Sequence, residues 1–257
     1  MQSPEQLAQI ALAVAREAAE LLMAGFRKHP VPTEKARADL VTDYDFASER
    51  LIRERLAQRA PELSIVAEEE GGRSTTELTW YVDPLDGTTN FVHGHPFFCV
   101  SIGVLRAGVP VAGAVVAPAL HTHWLAHGAG TSLRDGVGCS VSETDELAHA
   151  LVATGFPSDR SQSPANNFES FTRIKRVVRG VRRCGSAAID LCYVADGTYD
   201  AYWERRLNAW DLAAGAALVL GAGGTLTALD GGPADLSVGH VLASNGKLHR
   251  PMLDALA

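Results

Sequence analysis

The strongest constraint on the fold is the segment from Trp80 to Pro96, in which a strand leads into two aspartates and then a helix. The apolar residues 80–82 predict the end of a buried strand. Because Pro84 has no backbone N–H, we expect the strand to stop at Asp83. The pair Asp86-Gly87 predicts a turn, since glycine adopts backbone angles that other residues resist. The residues that follow, Thr-Thr-Asn, are typical helix caps and predict a short helix.

This segment offers two kinds of binding group at one turn. Asp83 and Asp86 are three residues apart, and hard divalent cations such as Mg²⁺ prefer oxygen ligands at short range. Amides at a helix start favour an anion such as phosphate. A purely structural interpretation is an Asp-Pro turn followed by a helix cap. We favour a joint site for metal and phosphate, because further carboxylates lie at the ends of other predicted elements.

Composition and charge are those of an ordinary globular protein. Of the 257 residues, 46% are hydrophobic and 21% are charged, so the chain can form one domain or two halves of roughly 100–150 residues. The net charge of -7 disfavours binding to nucleic acid or to an anionic membrane through bulk charge. An acidic protein that binds phosphate needs metal ions or a local basic patch to offset its own field.

The cysteines predict neither a zinc site nor a disulfide framework. They are scattered, with no C-x-x-C pair: Cys99, Cys139, Cys184 and Cys192. Reduced thiols in a cytoplasm are the simplest interpretation, and the N-terminus lacks the basic and apolar regions of a signal peptide. Residues 212–229 carry no charge, but Gly223-Gly224 interrupts them, so we expect a helix and a strand there instead of a membrane span.

Two helices are predicted before the central segment. Ser3 and Gln6 form a capping box for a helix that should run to about Phe26. Thr42 and Asp45 form a similar pair at the start of a second helix. The local pattern favours a structural role for Asp45 at the positive end of the helix dipole. The alternative is that Asp45 holds a third metal or a nearby hydroxyl.

Further acidic residues follow predicted strands or precede helices. Residues 64–67 predict a short strand that ends in Glu68-Glu69-Glu70. Three adjacent like charges are usually a solvated turn, but a strand beside the central one would bring Glu68 or Glu69 to the same metal as Asp83. Asp211 is expected to be the N-cap of a helix over 212–220. Glu204 ends another predicted strand.

A second glycine-containing turn also leads into a predicted helix, as the central one does. Gly185 and Ser186 follow two arginines and precede a predicted helix over 187–195. The structural interpretation is a strand-to-helix connection with a serine cap. The functional interpretation is that the turn brings backbone amides close to a ligand. The local pattern supports both equally.

Three of these motifs together resemble the signatures of the inositol monophosphatase family, which are Mg²⁺-dependent, lithium-sensitive phosphomonoesterases. They are Glu68-Glu69, the run from Asp83 to Phe91, and the run from Trp210 to Gly215. The resemblance extends from the first helix to the final strand. It implies one α+β domain over residues 1–257 with alternating layers, αβαβα, in agreement with the predicted order of helices and strands. It also implies a homodimer.

The resemblance implies ligands for two or three Mg²⁺ ions. Glu68, Asp83 and the backbone carbonyl of Leu85 match the ligands of the first, activating metal. Asp83, Asp86 and Asp211 match those of the second. Glu68 also matches the ligand of a weaker third metal. Several buried carboxylates in one pocket repel each other, and the cations relieve that repulsion while attracting a phosphate dianion.

The resemblance also implies catalytic and substrate-binding groups. Thr88 matches the threonine that positions the attacking water, Asp45 matches its acidic partner, and the amides of Gly87 and Thr88 match phosphate contacts. Five further residues match positions at which family members contact the alcohol portion of the substrate: Asp86, Gly185, Ser186, Ala187 and Glu204. One metal lowers the pKa of bound water and the other stabilises the leaving alkoxide, with about 4 Å between them, so no phosphoenzyme is required.

Several substrates and one other class of function stay open at this stage. Inositol monophosphate is the first choice, and histidinol phosphate is a serious competitor. Fructose 1,6-bisphosphate and nucleotide phosphates such as 3′-phosphoadenosine 5′-phosphate are further options. A different class is a regulatory binding protein that retains the fold and acts, for example, on the transcription apparatus. The intact acidic motifs favour the enzyme.

Overall fold

The helices and sheets form alternating layers because their apolar faces pack against each other. The computed structural model describes residues 2–36, 39–128 and 130–257. One core lies between two N-terminal helices and a large sheet. A second core lies between that sheet, two central helices and a smaller sheet, and a third lies beneath two outer helices. The alternating αβαβα arrangement is therefore confirmed, whereas the one-domain organisation stays a prediction.

The helices begin and end close to where the sequence patterns place them. Their bounds are α1 Pro4–Gly25, α2 Asp43–Arg59, α3 Thr88–Val92, α4 Phe168–Val177, α5 Ala187–Ala195, α6 Ala209–Gly221 and α7 His249–Leu256. Both predicted capping boxes, at the starts of α1 and α2, are present. The prediction that Asp211 is an N-cap is wrong: Asn208 occupies that position, and Asp211 is the third helical residue of a capping box.

The strands form two mixed sheets and one separate hairpin. Their bounds are β1 Thr33–Ala36, β2 Asp39–Val41, β3 Ser64–Ala67, β4 Leu78–Asp86, β5 Cys99–Arg106, β6 Val109–Ala117, β7 Thr122–His127, β8 Ser132–Arg134, β9 Val137–Gly138, β10 Leu151–Thr154, β11 Gly180–Arg182, β12 Ala201–Glu204, β13 Thr225–Ala228 and β14 Val241–Ser244. The large sheet follows the order β3 to β9. The smaller sheet has the order β11-β10-β12-β14-β13, and β1 pairs with β2.

The central strand continues past the point where we expected it to stop. β4 runs through Pro84 to Asp86, and its pairing with β5 shifts between Asp83 and Asp86. A proline is tolerated there because a bulge leaves a residue outside the hydrogen-bond ladder. The short helix α3 is present as predicted, but its N-cap is Gly87, with φ 96°, and no side chain caps it. The bulge therefore gives the two aspartates their sharp change of direction.

The neighbouring strand brings a second acidic segment to the same sheet edge. β3 pairs with β4 in parallel, and Ala67 lies opposite Val82. Glu68 follows the last residue of β3 and Asp83 is the next residue of β4, so the acidic turn begins beside Asp83. The prediction that the acidic turn lies beside the central strand is confirmed. Within the described residues, no helix is long and apolar enough to cross a membrane, and residues 212–229 form most of α6 and then β13.

The helix α6 packs directly against sheet backbone because two strand positions lack side chains. A Cβ atom on Gly103 would lie 2.5 Å from the backbone nitrogen of Ala214. A Cβ atom on Gly113 would lie 2.7 Å from the Cα atom of Ala214. Real Cβ atoms do not approach backbone this closely, so the glycines determine the depth at which α6 and its Asp211 are seated.

We expect Gly103→Ala to lower the free energy of unfolding by about 3 kcal/mol, because the new methyl group forces α6 away from the sheet. Urea denaturation measures this loss. Gly138→Ala is the matched control, since a Cβ atom there has no neighbour within 4 Å, and its effect should stay within about 0.5 kcal/mol. Equal effects of the two substitutions would contradict the close packing of α6.

Candidate active site

The predicted site residues converge on one cavity of about 620 Å³ at the end of the large sheet. Its lining includes eight residues that the sequence analysis singled out: Glu68, Asp83, Leu85, Asp86, Gly87, Thr88, Gly185 and Asp211. A smaller pocket of about 150 Å³ shares part of this wall and adds the other three predicted substrate contacts: Ser186, Ala187 and Glu204. Asp45 lies behind the wall and contacts Thr88.

The two aspartates of the central segment are each held through one oxygen. Asp83 is 2% exposed, and its Oδ1 accepts a hydrogen bond from the amide of Leu85 at 3.1 Å. Asp86 Oδ2 accepts hydrogen bonds from the Ser186 hydroxyl and from the Ala188 amide, both at 2.7 Å. The start of α5 therefore binds a carboxylate of the protein itself, and the serine caps the helix as well.

The other two carboxylates come from distant parts of the chain. Asp211 Oδ2 accepts a hydrogen bond from the amide of Asn208 at 2.7 Å. Glu68 Oε1 lies 3.2 Å from the ammonium group of Lys35, and the same ammonium group lies 2.5 Å from Glu69 Oε1. Lys35 thus supplies one positive charge to the acidic turn. The sequence gives no sign of this contact, because a lysine on a short polar strand is typical of solvent-exposed surface.

Burial and mutual repulsion change the acidity of the cluster. Burial raises the pKa of Glu68 to about 7, and the carboxylates of Glu69 and Asp45 act in the same direction, against Lys35. Burial also raises the pKa of Asp83 and Asp211 well above the usual range, and the neighbouring carboxylates raise both further. These groups cannot all carry their charge at neutral pH without a compensating cation.

The free carboxylate oxygens of the cluster are suitable ligands for a hard cation, although they are not yet close enough together to coordinate one. Among the described residues, Asp83 Oδ2, Asp211 Oδ1 and Glu68 Oε2 accept no hydrogen bond, while the other oxygen of each is tethered. Within that same part of the chain, no three His, Cys, Asp or Glu side chains are already placed to hold a metal ion. Oxygen-only ligands of this kind suit Mg²⁺, which also retains several water molecules as ligands.

A threonine and a buried aspartate form a pair beside the cluster. Thr88 Oγ1 lies 2.9 Å from Asp45 Oδ1 and 3.1 Å from the carbonyl oxygen of Leu85. Asp45 Oδ2 accepts hydrogen bonds from both the amide and the hydroxyl of Thr42. Asp45 therefore caps α2 and also fixes the Thr88 hydroxyl, so the structural and functional interpretations both describe its contacts.

The smaller pocket is acidic, with one arginine at its connection to the main cavity. Glu204 accepts a short hydrogen bond from the Tyr202 hydroxyl, and burial raises the pKa of Glu204 to about 7. Arg183 lines both cavities. Asp190, which the sequence analysis did not single out, also lines the smaller pocket and is 2% exposed.

Two positioning residues were also missed. Glu49 is fully buried, and its carboxylate accepts hydrogen bonds from the amides of Glu69 and Glu70 at 2.7 and 2.9 Å. Its pairing with Arg53 four residues later is typical of an exposed helix face, so no sequence signal marks it. Asn90, expected only to cap a helix, donates from Nδ2 to the carbonyl of Cys184 at 2.8 Å, which joins α3 to the turn before α5.

Comparison with known proteins agrees with this geometry. The model of the Inositol monophosphatase family matches residues 3–257. The chain is 44% identical over 227 residues to an inositol-1-monophosphatase of Synechocystis, which covers 87% of this chain and 79% of the relative. It is 38% identical to the Nus factor SuhB of Pseudomonas aeruginosa, over 98% of this chain and 96% of the relative.

A solved structure of similar shape is that of inositol monophosphatase from Anabaena (Nostoc) sp. PCC 7120. It superposes with a TM-score of 0.91 at 38% identity and covers 98% of this chain and 95% of its own. Family model, relatives and structure all extend over nearly the whole sequence. The chain therefore belongs to the inositol monophosphatase family of phosphoric monoester hydrolases.

Proposed function

We propose that this protein hydrolyses a small phosphate monoester with Mg²⁺, and that inositol monophosphate is its preferred substrate. The observation that carries the proposal is the convergence of Glu68, Asp83, Asp86 and Asp211 on one cavity. Burial raises the pKa of each of these carboxyl groups, so the cluster does not carry its full negative charge unless cations compensate it. A phosphate dianion enters such a site only with cations that compensate both partners.

The chain's own groups supply ligands and orientation. Glu68, Asp83 and the Leu85 carbonyl would hold one cation, and Asp83, Asp86 and Asp211 would hold a second, with Glu68 available to a third. Bound Mg²⁺ supplies Lewis acidity and a water of lowered pKa. The protein's own side chains provide the orientation. One oxygen of each carboxylate is held by a hydrogen bond or an ion pair, which keeps the other oxygen directed at the cavity.

The Thr88 hydroxyl has the geometry to orient an attacking water. When its hydrogen is donated to Asp45 at 2.9 Å, its oxygen lone pairs are free to accept a hydrogen from water. Gly87 and Thr88 line the cavity, where their amides contact the phosphate in this proposal. Ser186, Ala187 and Glu204 then face the alcohol portion of the substrate in the smaller pocket.

A phosphate-release panel tests the substrate assignment. We expect the highest kcat/KM for inositol 1-phosphate, with lower values for histidinol phosphate, fructose 1,6-bisphosphate and 3′-phosphoadenosine 5′-phosphate, and no release in the presence of a chelator. A higher value for histidinol phosphate would replace the substrate but keep the reaction class. Equal release with and without chelator would contradict the metal assignment.

A second candidate function is regulatory binding, and the similarity to a protein named Nus factor SuhB favours it. Such a role is compatible with intact catalytic residues. Phosphate release by the wild type that is absent in Asp83→Asn supports the enzyme, whereas no release from the whole panel supports the binding role. A homodimer and inhibition by lithium also stay predictions, and light scattering and a lithium titration measure them.

A further inference from the structure

The smaller pocket contains a carboxyl group that no part of the proposed reaction uses. This pocket of about 150 Å³ shares Asp86, Arg183, Gly185 and Asp211 with the main cavity, so the two are continuous. Asp190 lines it from the first turn of α5. It is therefore positioned on the side where the alcohol portion of a bound phosphate ester would extend.

The carboxyl group of Asp190 is buried, and one of its oxygens has no hydrogen-bond partner among the residues that the structure describes. The residue is 2% exposed, and its Oδ1 is fully buried with no donor in reach within the described residues. A buried polar group left unsatisfied costs about 1–3 kcal/mol, and more when it is charged. Asp200 shows the ordinary arrangement, because its buried carboxylate accepts hydrogen bonds from the Ser142 hydroxyl and the Leu151 amide at 2.6 Å each.

The groups that face Asp190 make the pocket unfavourable for anions. Burial raises the pKa of Asp190 well above its usual range, Glu204 and Asp86 raise it further, and Arg183 opposes them. Tyr202 already donates its hydroxyl hydrogen to Glu204, so it is not available to Asp190. Hydrogen-bond donors brought by a ligand would satisfy the carboxyl group, whereas a second anionic group would be repelled.

We propose that Asp190 is a specificity-determining residue that accepts a hydrogen bond from a hydroxyl or ammonium group on the alcohol portion of the substrate. Together with Glu204 it selects alcohols that carry further donors and disfavours those that carry a second anionic group. This inference rests on the proposed phosphatase function and specifies which functional groups the leaving alcohol should carry. It gives the unsatisfied carboxyl group a hydrogen-bond partner when substrate is bound.

The test compares three phosphate esters with Mg²⁺: inositol 1-phosphate, histidinol phosphate and p-nitrophenyl phosphate, which has no donor on its leaving group. In Asp190→Leu, we expect the ratio of kcat/KM for inositol 1-phosphate to that for p-nitrophenyl phosphate to fall ten- to a hundredfold, mainly through KM. Asp190→Asn keeps the size and one acceptor oxygen. It should restore most of the polyol preference but not the preference for the ammonium-bearing substrate.

Asp200→Asn is the matched control, because it removes a buried carboxylate outside both cavities and should leave the ratio unchanged. A ratio within twofold of wild type in Asp190→Leu, or an equal fall in Asp200→Asn, overturns the inference but not the phosphatase function. No release from any of the three esters by the wild type overturns both. If Asp190→Leu does not fold, the histidinol phosphate preference of Asp190→Asn decides, and its retention at the wild-type level overturns the inference.

Discussion

Asp211→Asn is expected to lower kcat by about a thousandfold or more, which corresponds to a loss of about 4 kcal/mol in transition-state stabilisation. The substitution removes the charge that the proposed second metal needs. It keeps an oxygen that accepts the hydrogen bond from the amide of Asn208, so the start of α6 is retained. Phosphate release at saturating substrate and Mg²⁺ measures the effect, and thermal denaturation checks the fold.

The control for this prediction is Asp235→Asn. Asp235 also accepts a backbone hydrogen bond, from the amide of Ser237, but it is not among the residues that line the cavity of the proposed metal site. We expect its kcat to stay within twofold of wild type. Near-wild-type turnover of Asp211→Asn at saturating Mg²⁺ would show that the metal assignment is wrong.

The features that could be predicted from sequence are those with local signals. The capping boxes at Ser3 and Thr42, the short strand over residues 64–67 and the acidic turn after it follow from neighbouring residues. The placement of Glu68 beside Asp83 also followed, because the acidic turn comes directly after a short strand that pairs in parallel with the central strand. The resemblance to a known family then supplied the layered fold, and the role that it implies for Asp211 as a metal ligand stays a prediction.

The features that could not be predicted depend on contacts between distant segments. Lys35 reaches Glu68 across 33 residues, and Glu49 holds a turn twenty residues away. Neither contact leaves a pattern in the sequence. The passage of β4 through Pro84 depends on a bulge against β5, and the unsatisfied carboxyl group of Asp190 is visible only once the pocket is formed. Tertiary packing decides each of these.

The metal-free protein is expected to become less stable as the pH rises from about 4.5 to about 7. Burial raises the pKa of Glu204 from 4.5 to about 7, so the folded state binds more protons than the unfolded state in this window and stability falls with rising pH. For Glu204 alone the loss is roughly 3 kcal/mol. The raised pKa of Glu68 acts in the same direction. Urea denaturation at each pH, in the presence of a chelator, measures the slope.

Mg²⁺ should reverse this loss at pH 8 and have little effect at pH 5, because its carboxylate ligands must be deprotonated to bind it. At a hundred times its dissociation constant, a ligand adds about 2.7 kcal/mol, or roughly 5–10 °C in Tm for a chain of this size. Two variants separate the contributions. Glu204→Gln should reduce the pH slope but keep the response to Mg²⁺, since Glu204 is not among the proposed ligands, whereas Asp83→Asn should lose most of that response, since Asp83 is a proposed ligand of both cations. Equal stabilisation by Mg²⁺ at pH 5 and pH 8, or a full response in Asp83→Asn, would mean that the cation binds elsewhere on the protein.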